Sequence, residues 1–296
     1  MLINKLLPIL LYFLAGYLLK RSNVFRKDDG NLFLRAVVYL CLPAISFATF
    51  SRLELHITRL YPIITALLVI FGNFLFTRIY FRKVSINNHS NTVFLLSTLI
   101  LNTSLILPFA QARWGDEGTA TVLLFDIAHV ALVFTFSYWA AMHYGNGRKG
   151  KAPISRILRL PPLWGIITGI LVNIMSIPVP EFMYELSAIA LKALIVLMMT
   201  ALGLFFEFRL KHFRLVAGAI LQRSLGGLLL GFVITWILGV EGVNRQMLLL
   251  ISAAPVGFNT LVLTDLEDLD RDLAAEIVTT ATLLAVIIIP LILLFI

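Results

Sequence analysis

Charged side chains are scarce in this 296-residue chain, at 14% of residues against about 25% in a soluble domain. Apolar residues make up 59%, too many for a water-soluble globule of this length to hide, so a soluble fold is excluded and lipid is the expected solvent. Cysteine is almost missing: Cys41 stands alone in an apolar run, which rules out an internal disulfide and leaves the redox compartment unread. The patterns that carry intramembrane or nucleotide chemistry are absent too. There is no H-E-x-x-H, no Walker lysine, no G-x-S-x-G and no pair of intramembrane aspartates, so no enzyme is expected. The one acidic run, Asp265, Glu267, Asp268, Asp270 and Asp272, lacks the second run needed to hold a magnesium diphosphate. It reads as the acidic start of a helix, favourable at the positive end of the dipole, and neither metal nor cofactor is expected.

The net charge of +8 would raise nucleic acid in a soluble protein, but here the basic residues cluster between apolar runs. Loops lying against anionic lipid head groups explain them, with membrane lipid rather than nucleic acid as partner. The opening run, Leu6 to Leu19, ends in Lys20-Arg21 without a small-residue cleavage site; it is expected to be a first membrane helix and not a signal peptide.

Runs long enough for a bilayer of about 30 Å fall near residues 2–19, 31–50, 59–81, 91–112, 118–143, 162–178, 183–206, 213–239, 246–265 and 271–296. They are continuously apolar rather than alternating with period two, so the expected class is an all-α integral membrane protein of about ten transmembrane helices. Sixteen Lys and Arg lie in the loops on one side and five on the other, which puts the first set in the cytoplasm and both termini outside. The stretch Tyr144 to Leu160, with Gly145, Gly147, Gly150 and Pro153 among its bases, reads as a basic cytoplasmic linker (144–161) between five-helix halves at 1–143 and 162–296. Two similar halves of five helices must insert with opposite orientation, the inverted repeat of secondary transporters. Pro8 and Gly16 match Pro161 and Gly169 at an offset of 153 residues, and Asn102-Thr103 matches Asn259-Thr260 at 157.

The fourth span holds Asn102, Thr103, Ser104 and Pro108 near its middle; the ninth holds Ser252, Pro255, Gly257, Asn259 and Thr260. Proline removes a backbone donor and frees carbonyls, so interruptions in corresponding helices of two halves point to a substrate site. Pro43, Pro62 and Pro290 read as simple kinks.

Four ionisable residues lie at depth, where a charge costs roughly 2.5 to 3.5 kcal/mol: Asp126 and His129 in the fifth span, Lys192 in the seventh and Arg223 in the eighth. Asp126 and His129 share a helix face and could respond to protons, or Asp126 could form a structural ion pair with Arg223 or Lys192. With His129 neutral the set carries a net positive charge, which an anionic substrate would complete. Arginine is the better carboxylate partner because its planar donors engage both oxygens.

Taken in order, P-I-L-L-Y-F-L-A-G-Y-L-L-K-R from Pro8, L-P-A at Pro43, N-T-S-L-I-L-P from Asn102, W-G-D-E-G from Trp114 with Phe125-Asp126 after it, and A-A-P at Pro255 resemble the auxin efflux carrier family over nearly the whole chain. That family includes the plant PIN auxin exporters and bacterial permeases assigned to malate or malonate. The resemblance implies ten helices in two inverted five-helix repeats, with the fourth and ninth broken and crossing near the substrate. The sequence departs from the pattern where Asn102 to Pro108 is one residue short and lacks a glycine, and where no proline stands near Val196.

The expected function is secondary transport of a small organic anion, a carboxylate first, by alternating access in the cell inner membrane. The expected substrate-binding residues are Asn102, Thr103, Pro108, Pro255, Asn259, Thr260, Arg223 and Lys192, with Asp126 and His129 as the coupling or structural pair. A sodium- or proton-coupled carrier of another solute on a related fold is the second reading, and an intramembrane enzyme or receptor the third. A coupling proton or sodium ion and a homodimer complete the set of partners considered.

Overall fold

A computed structural model of the chain describes residues 2–26, 29–53, 60–81, 88–144, 161–205 and 211–295. The expected linker lies, apart from Tyr144 and Pro161, outside the described residues. Among those that are described the structure is helical, without a β-strand. The helices are α1 (Leu2–Arg21), α2 (Asp29–Ser51), α3 (Tyr61–Phe81), α4 (Asn88–Leu99), α5 (103–114), α6 (116–144), α7 (Pro161–Ile174), α8 (Glu181–Phe205), α9 (Phe213–Ile237), α10 (Gly242–Ser252), α11 (Asn259–Leu266) and α12 (Arg271–Phe295). Among the described residues, six helical stretches are long and apolar enough to cross a membrane.

Two spans read as single helices are interrupted. The fourth is α4 followed by α5, and the ninth is α10 followed by α11. With 12, 11 and 8 residues, α4, α10 and α11 are each too short to cross about 30 Å of hydrocarbon alone. Between α5 and α6 the chain turns at Gly115, with φ 62° and ψ −141°, a conformation open to glycine because it has no Cβ. Pro108 lies in the second turn of α5, not at the break; the proline of the ninth span, Pro255, does stand in the unwound segment. At the head of α12, Asp270 Oδ1 accepts the Leu273 N–H at 3.0 Å, so one member of the acidic run is a helix cap.

The chain divides into two compact units, each drawn from both halves of the sequence. The first comprises Met1–His56, Pro108–Leu123 and Ser155–Phe206. In it α1 packs on α8 and α2 on α7, with backbones brought close by small residues. A Cβ on Gly16 would stand 2.1 Å from the Thr200 carbonyl oxygen, and one on Gly169 would stand 2.7 Å from that of Phe47. Small residues permit this approach where lipid offers helices no hydrophobic reason to associate.

The second unit comprises Ile57–Leu107, Leu124–Ile154 and Glu207–Ile296. Its α9 shows how lipid reverses the usual amphipathic order. Leu225, Leu229, Phe232 and Trp236 recur every three or four residues on a face that is more than half exposed, while Arg223, Gly227 and Gly231 are buried. An apolar stripe of this kind facing outward fits hydrocarbon as the solvent.

Candidate functional site

Breaking a helix inside a membrane releases backbone donors and acceptors that lipid cannot satisfy, so each must find a protein partner. In the second unit the two breaks satisfy each other. Leu101 and Val256 face one another as an antiparallel bridge; Asn102 donates its N–H to the Pro255 carbonyl at 2.8 Å, and Gly257 donates to the Ile100 carbonyl at 2.8 Å. Gly257 is needed for this approach, because a Cβ there would lie 2.3 Å from the Leu101 carbonyl oxygen. The resumed helix α5 is capped by Asn102, whose Oδ1 accepts the Leu105 N–H at 3.2 Å.

The Leu101 N–H donates to His129 Nε2 at 3.0 Å. A ring nitrogen that accepts carries no proton, so the proton of neutral His129 sits on Nδ1, which faces Asp126 Oδ1 at 3.0 Å. The same carboxylate oxygen accepts the Thr103 hydroxyl at 2.6 Å. Asp126 and His129 are therefore joined by a carboxylate–imidazole hydrogen bond that buttresses the crossover. His129 is buried, whereas the Asp126 side chain retains 30% exposure.

Arg223 is the largest fully buried side chain among the described residues. A π-helical segment, Gln222–Gly226, carries it on the inner face of α9. Its guanidinium donates through Nη1 to the Thr98 carbonyl (2.9 Å), through Nη2 to that of Ser252 (2.5 Å) and through Nε to that of Ala254 (3.3 Å). Its hydrogen-bond partners are thus the carbonyls at the ends of α4 and α10, and not Asp126. Around it Gln222 donates to the Thr77 hydroxyl, which also meets that of Thr98 at 2.7 Å.

Of the residues singled out in the sequence, the structure gathers Asn102, Thr103, Asp126, His129, Arg223 and Pro255 at the two breaks. Asn259 and Thr260 open α11 in the same unit. Lys192 belongs to the other unit, midway along α8 and exposed. Three buried polar atoms at the breaks have no hydrogen-bond partner: Asn102 Nδ2, Ser252 Oγ and Thr260 Oγ1. Sequence reasoning missed Thr98, Gly227 and the carbonyl role of Ser252. Gly227, four residues after Arg223, is the signal that this face of α9 is crowded, by the Arg223 guanidinium and the Ser252 backbone.

A family model described as "Membrane transport protein" matches residues 1–293. An "Uncharacterized transporter" of Methanothermobacter thermautotrophicus is 26% identical over 295 residues, covering 97% of this chain and 96% of the relative. A second "Uncharacterized transporter", from Methanocaldococcus jannaschii, is 25% identical over 300 residues and covers 96% of each. The chain is a multi-pass membrane protein, and it belongs to the Mem_trans family of membrane transport proteins, the auxin efflux carrier family.

Proposed function

We propose that this protein is a secondary carrier that moves a small organic anion, a carboxylate first, across the cell inner membrane by alternating access. The observation that carries this reading is the meeting of two discontinuous helices. α5 and α11 begin at the crossover, and the N-terminal ends of helices carry partial positive charge that favours an anion. The unpartnered amide nitrogen of Asn102 and hydroxyl of Thr260 supply uncommitted hydrogen-bonding groups beside those ends. We assign substrate contacts to Asn102, Thr103, Asn259 and Thr260, with Pro255 shaping the unwound segment. Pro108 and Lys192 lie in the first unit and are given no contact in this site. Arg223 is reassigned from substrate partner to the crossover itself, because its guanidinium is buried and already held by three carbonyls.

The proposed architecture is ten membrane helices in two inverted repeats, 1–143 and 162–296, with both termini outside. Its support is a spacing that recurs in packing: Gly16 lies against Thr200 and Gly169 against Phe47, and Gly16 to Gly169 and Phe47 to Thr200 are both separations of 153 residues. A second reading, a carrier coupled to protons or moving a cationic solute, has one observation behind it. The partly exposed Asp126 carboxylate already occupies the start of α5 through Thr103.

A panel of mono- and dicarboxylates, with cationic and neutral solutes alongside, tests the choice by thermal stabilisation of the purified protein. Binding at a hundred times Kd should add about 2.7 kcal/mol of stability. Stabilisation by cations alone would overturn the anion reading. Reporter fusions after Lys151 and at Ile296 should report the cytoplasm and the exterior respectively.

A further inference from the structure

The anion proposal leaves open why a buried arginine sits where two helices end. α4 and α10 both point their C-termini at the crossover, and each such end carries roughly half a negative charge. Together they present about one negative charge on carbonyl oxygens that lipid cannot solvate. In discontinuous-helix carriers, carbonyls of this kind can coordinate a coupling cation. Here Thr98, Ser252 and Ala254 direct their oxygens at the guanidinium, which is fully buried. One positive charge offsets about one negative charge, so a metal ion added there would bring a charge with nothing to balance it. The space is shaped for this group: a Cβ on Gly227 would stand 2.2 Å from Arg223 Nη2 and 2.1 Å from the Ser252 carbonyl oxygen.

We propose that Arg223 is a built-in cation: its guanidinium fills a carbonyl site between the ends of α4 and α10. The native protein therefore takes no sodium there, and removing the side chain opens a site for a free planar cation. The three hydrogen bonds lie in different directions, which a planar fork can serve and a spherical ion or an ammonium serves less well. The inference goes beyond the transport reading and does not depend on the charge of the substrate.

Its test needs no substrate. Full-length wild type and Arg223→Ala are purified in detergent and melted in guanidinium chloride, urea, sodium chloride or choline chloride at equal concentrations, far below the denaturing range. Arg223→Ala should melt about 10 °C lower, because three carbonyls lose their donor in a buried site. Guanidinium should recover at least half of that shift. Urea, which has the same shape without the charge, should not, and the wild type should not distinguish sodium from choline. The proposal is overturned by an Arg223→Ala protein that melts with the wild type, by equal recovery in urea, by no recovery in guanidinium, or by sodium stabilisation of the wild type. Should Arg223→Ala fail to fold, Arg223→Lys carries the test: an intermediate melting temperature supports a charge held by too few donors, and one equal to the wild type overturns the planar site.

Discussion

At the fourth-span break the helix resumes behind Asn102, which caps α5, and Asp126 places a carboxylate on Thr103 in its first turn. At the ninth-span break it resumes behind Phe258, which makes no side-chain cap, and the Thr260 hydroxyl is buried without a partner. The carbonyl side is uneven as well: α4 gives Arg223 one oxygen, while α10 and the residues after it give two. The backbone pairing between the breaks is two-fold, but the side chains around it are not. One helix start carries its own negative group and the other has none, so an anion arriving from outside meets less competition at α11.

The sharpest way to break the comparison is at Gly257 and Asn102, which flank the bridge in equivalent positions. Gly257→Ala drives a methyl against a backbone oxygen 2.3 Å away, and neither chain can yield without losing its partner. A cost of about 3 kcal/mol or more is expected, seen as loss of folded protein or a steep fall in melting temperature. Asn102→Ala removes only a cap and should cost about 1 kcal/mol. Equal costs would mean that the bridge does not hold the breaks together.

The buttress on the fourth-span side comes next. His129→Leu leaves the buried Leu101 N–H without an acceptor, which should cost about 1–3 kcal/mol, and His129→Gln should restore part of it. Thr103→Val removes a hydroxyl bonded to a carboxylate and should cost about 1.5–3 kcal/mol. Thermal melting of the three variants checks both. Asn259→Ala should leave stability within about 0.5 kcal/mol and still lower uptake of the identified anion into vesicles by about tenfold, a loss of about 1.4 kcal/mol. Wild-type uptake would move the site away from α11.

Much of this was legible in the sequence because lipid demands long apolar runs and tolerates polar interruptions only for a reason. The Asn102 to Pro108 and Ser252 to Thr260 clusters marked the two breaks, and the observed half-helices fall within a few residues of the expected spans. The place of the fourth-span break was not legible. Pro108 suggested it, yet the chain unwinds at Leu101 and Asn102, where pairing with residues more than 150 positions away decides the matter. The partners of Arg223 were not legible for the same reason: Thr98, Ser252 and Ala254 offer it backbone oxygens, 125, 29 and 31 residues distant, that leave no mark in composition.

The smallest stability effect belongs to Thr260→Val, and it separates a structural hydroxyl from a functional one. Thr260 is fully buried and its Oγ1 bonds to nothing, so the folded protein already bears the cost of desolvating that oxygen. Replacing it with a methyl of similar shape loses no hydrogen bond. The expected change in stability is therefore zero or a gain of about 0.5 kcal/mol, opposite in sign to Thr103→Val at the other break. If the hydroxyl is held unpaired for the substrate, uptake should nevertheless fall, with the apparent affinity weakened about tenfold, because one hydrogen bond of about 1.4 kcal/mol is lost only in the bound state. Melting and uptake measured on the same preparation decide it. A Thr260→Val protein that is more stable and transports normally would assign the hydroxyl no part in binding, and would leave the start of α5 as the better place to look for the substrate.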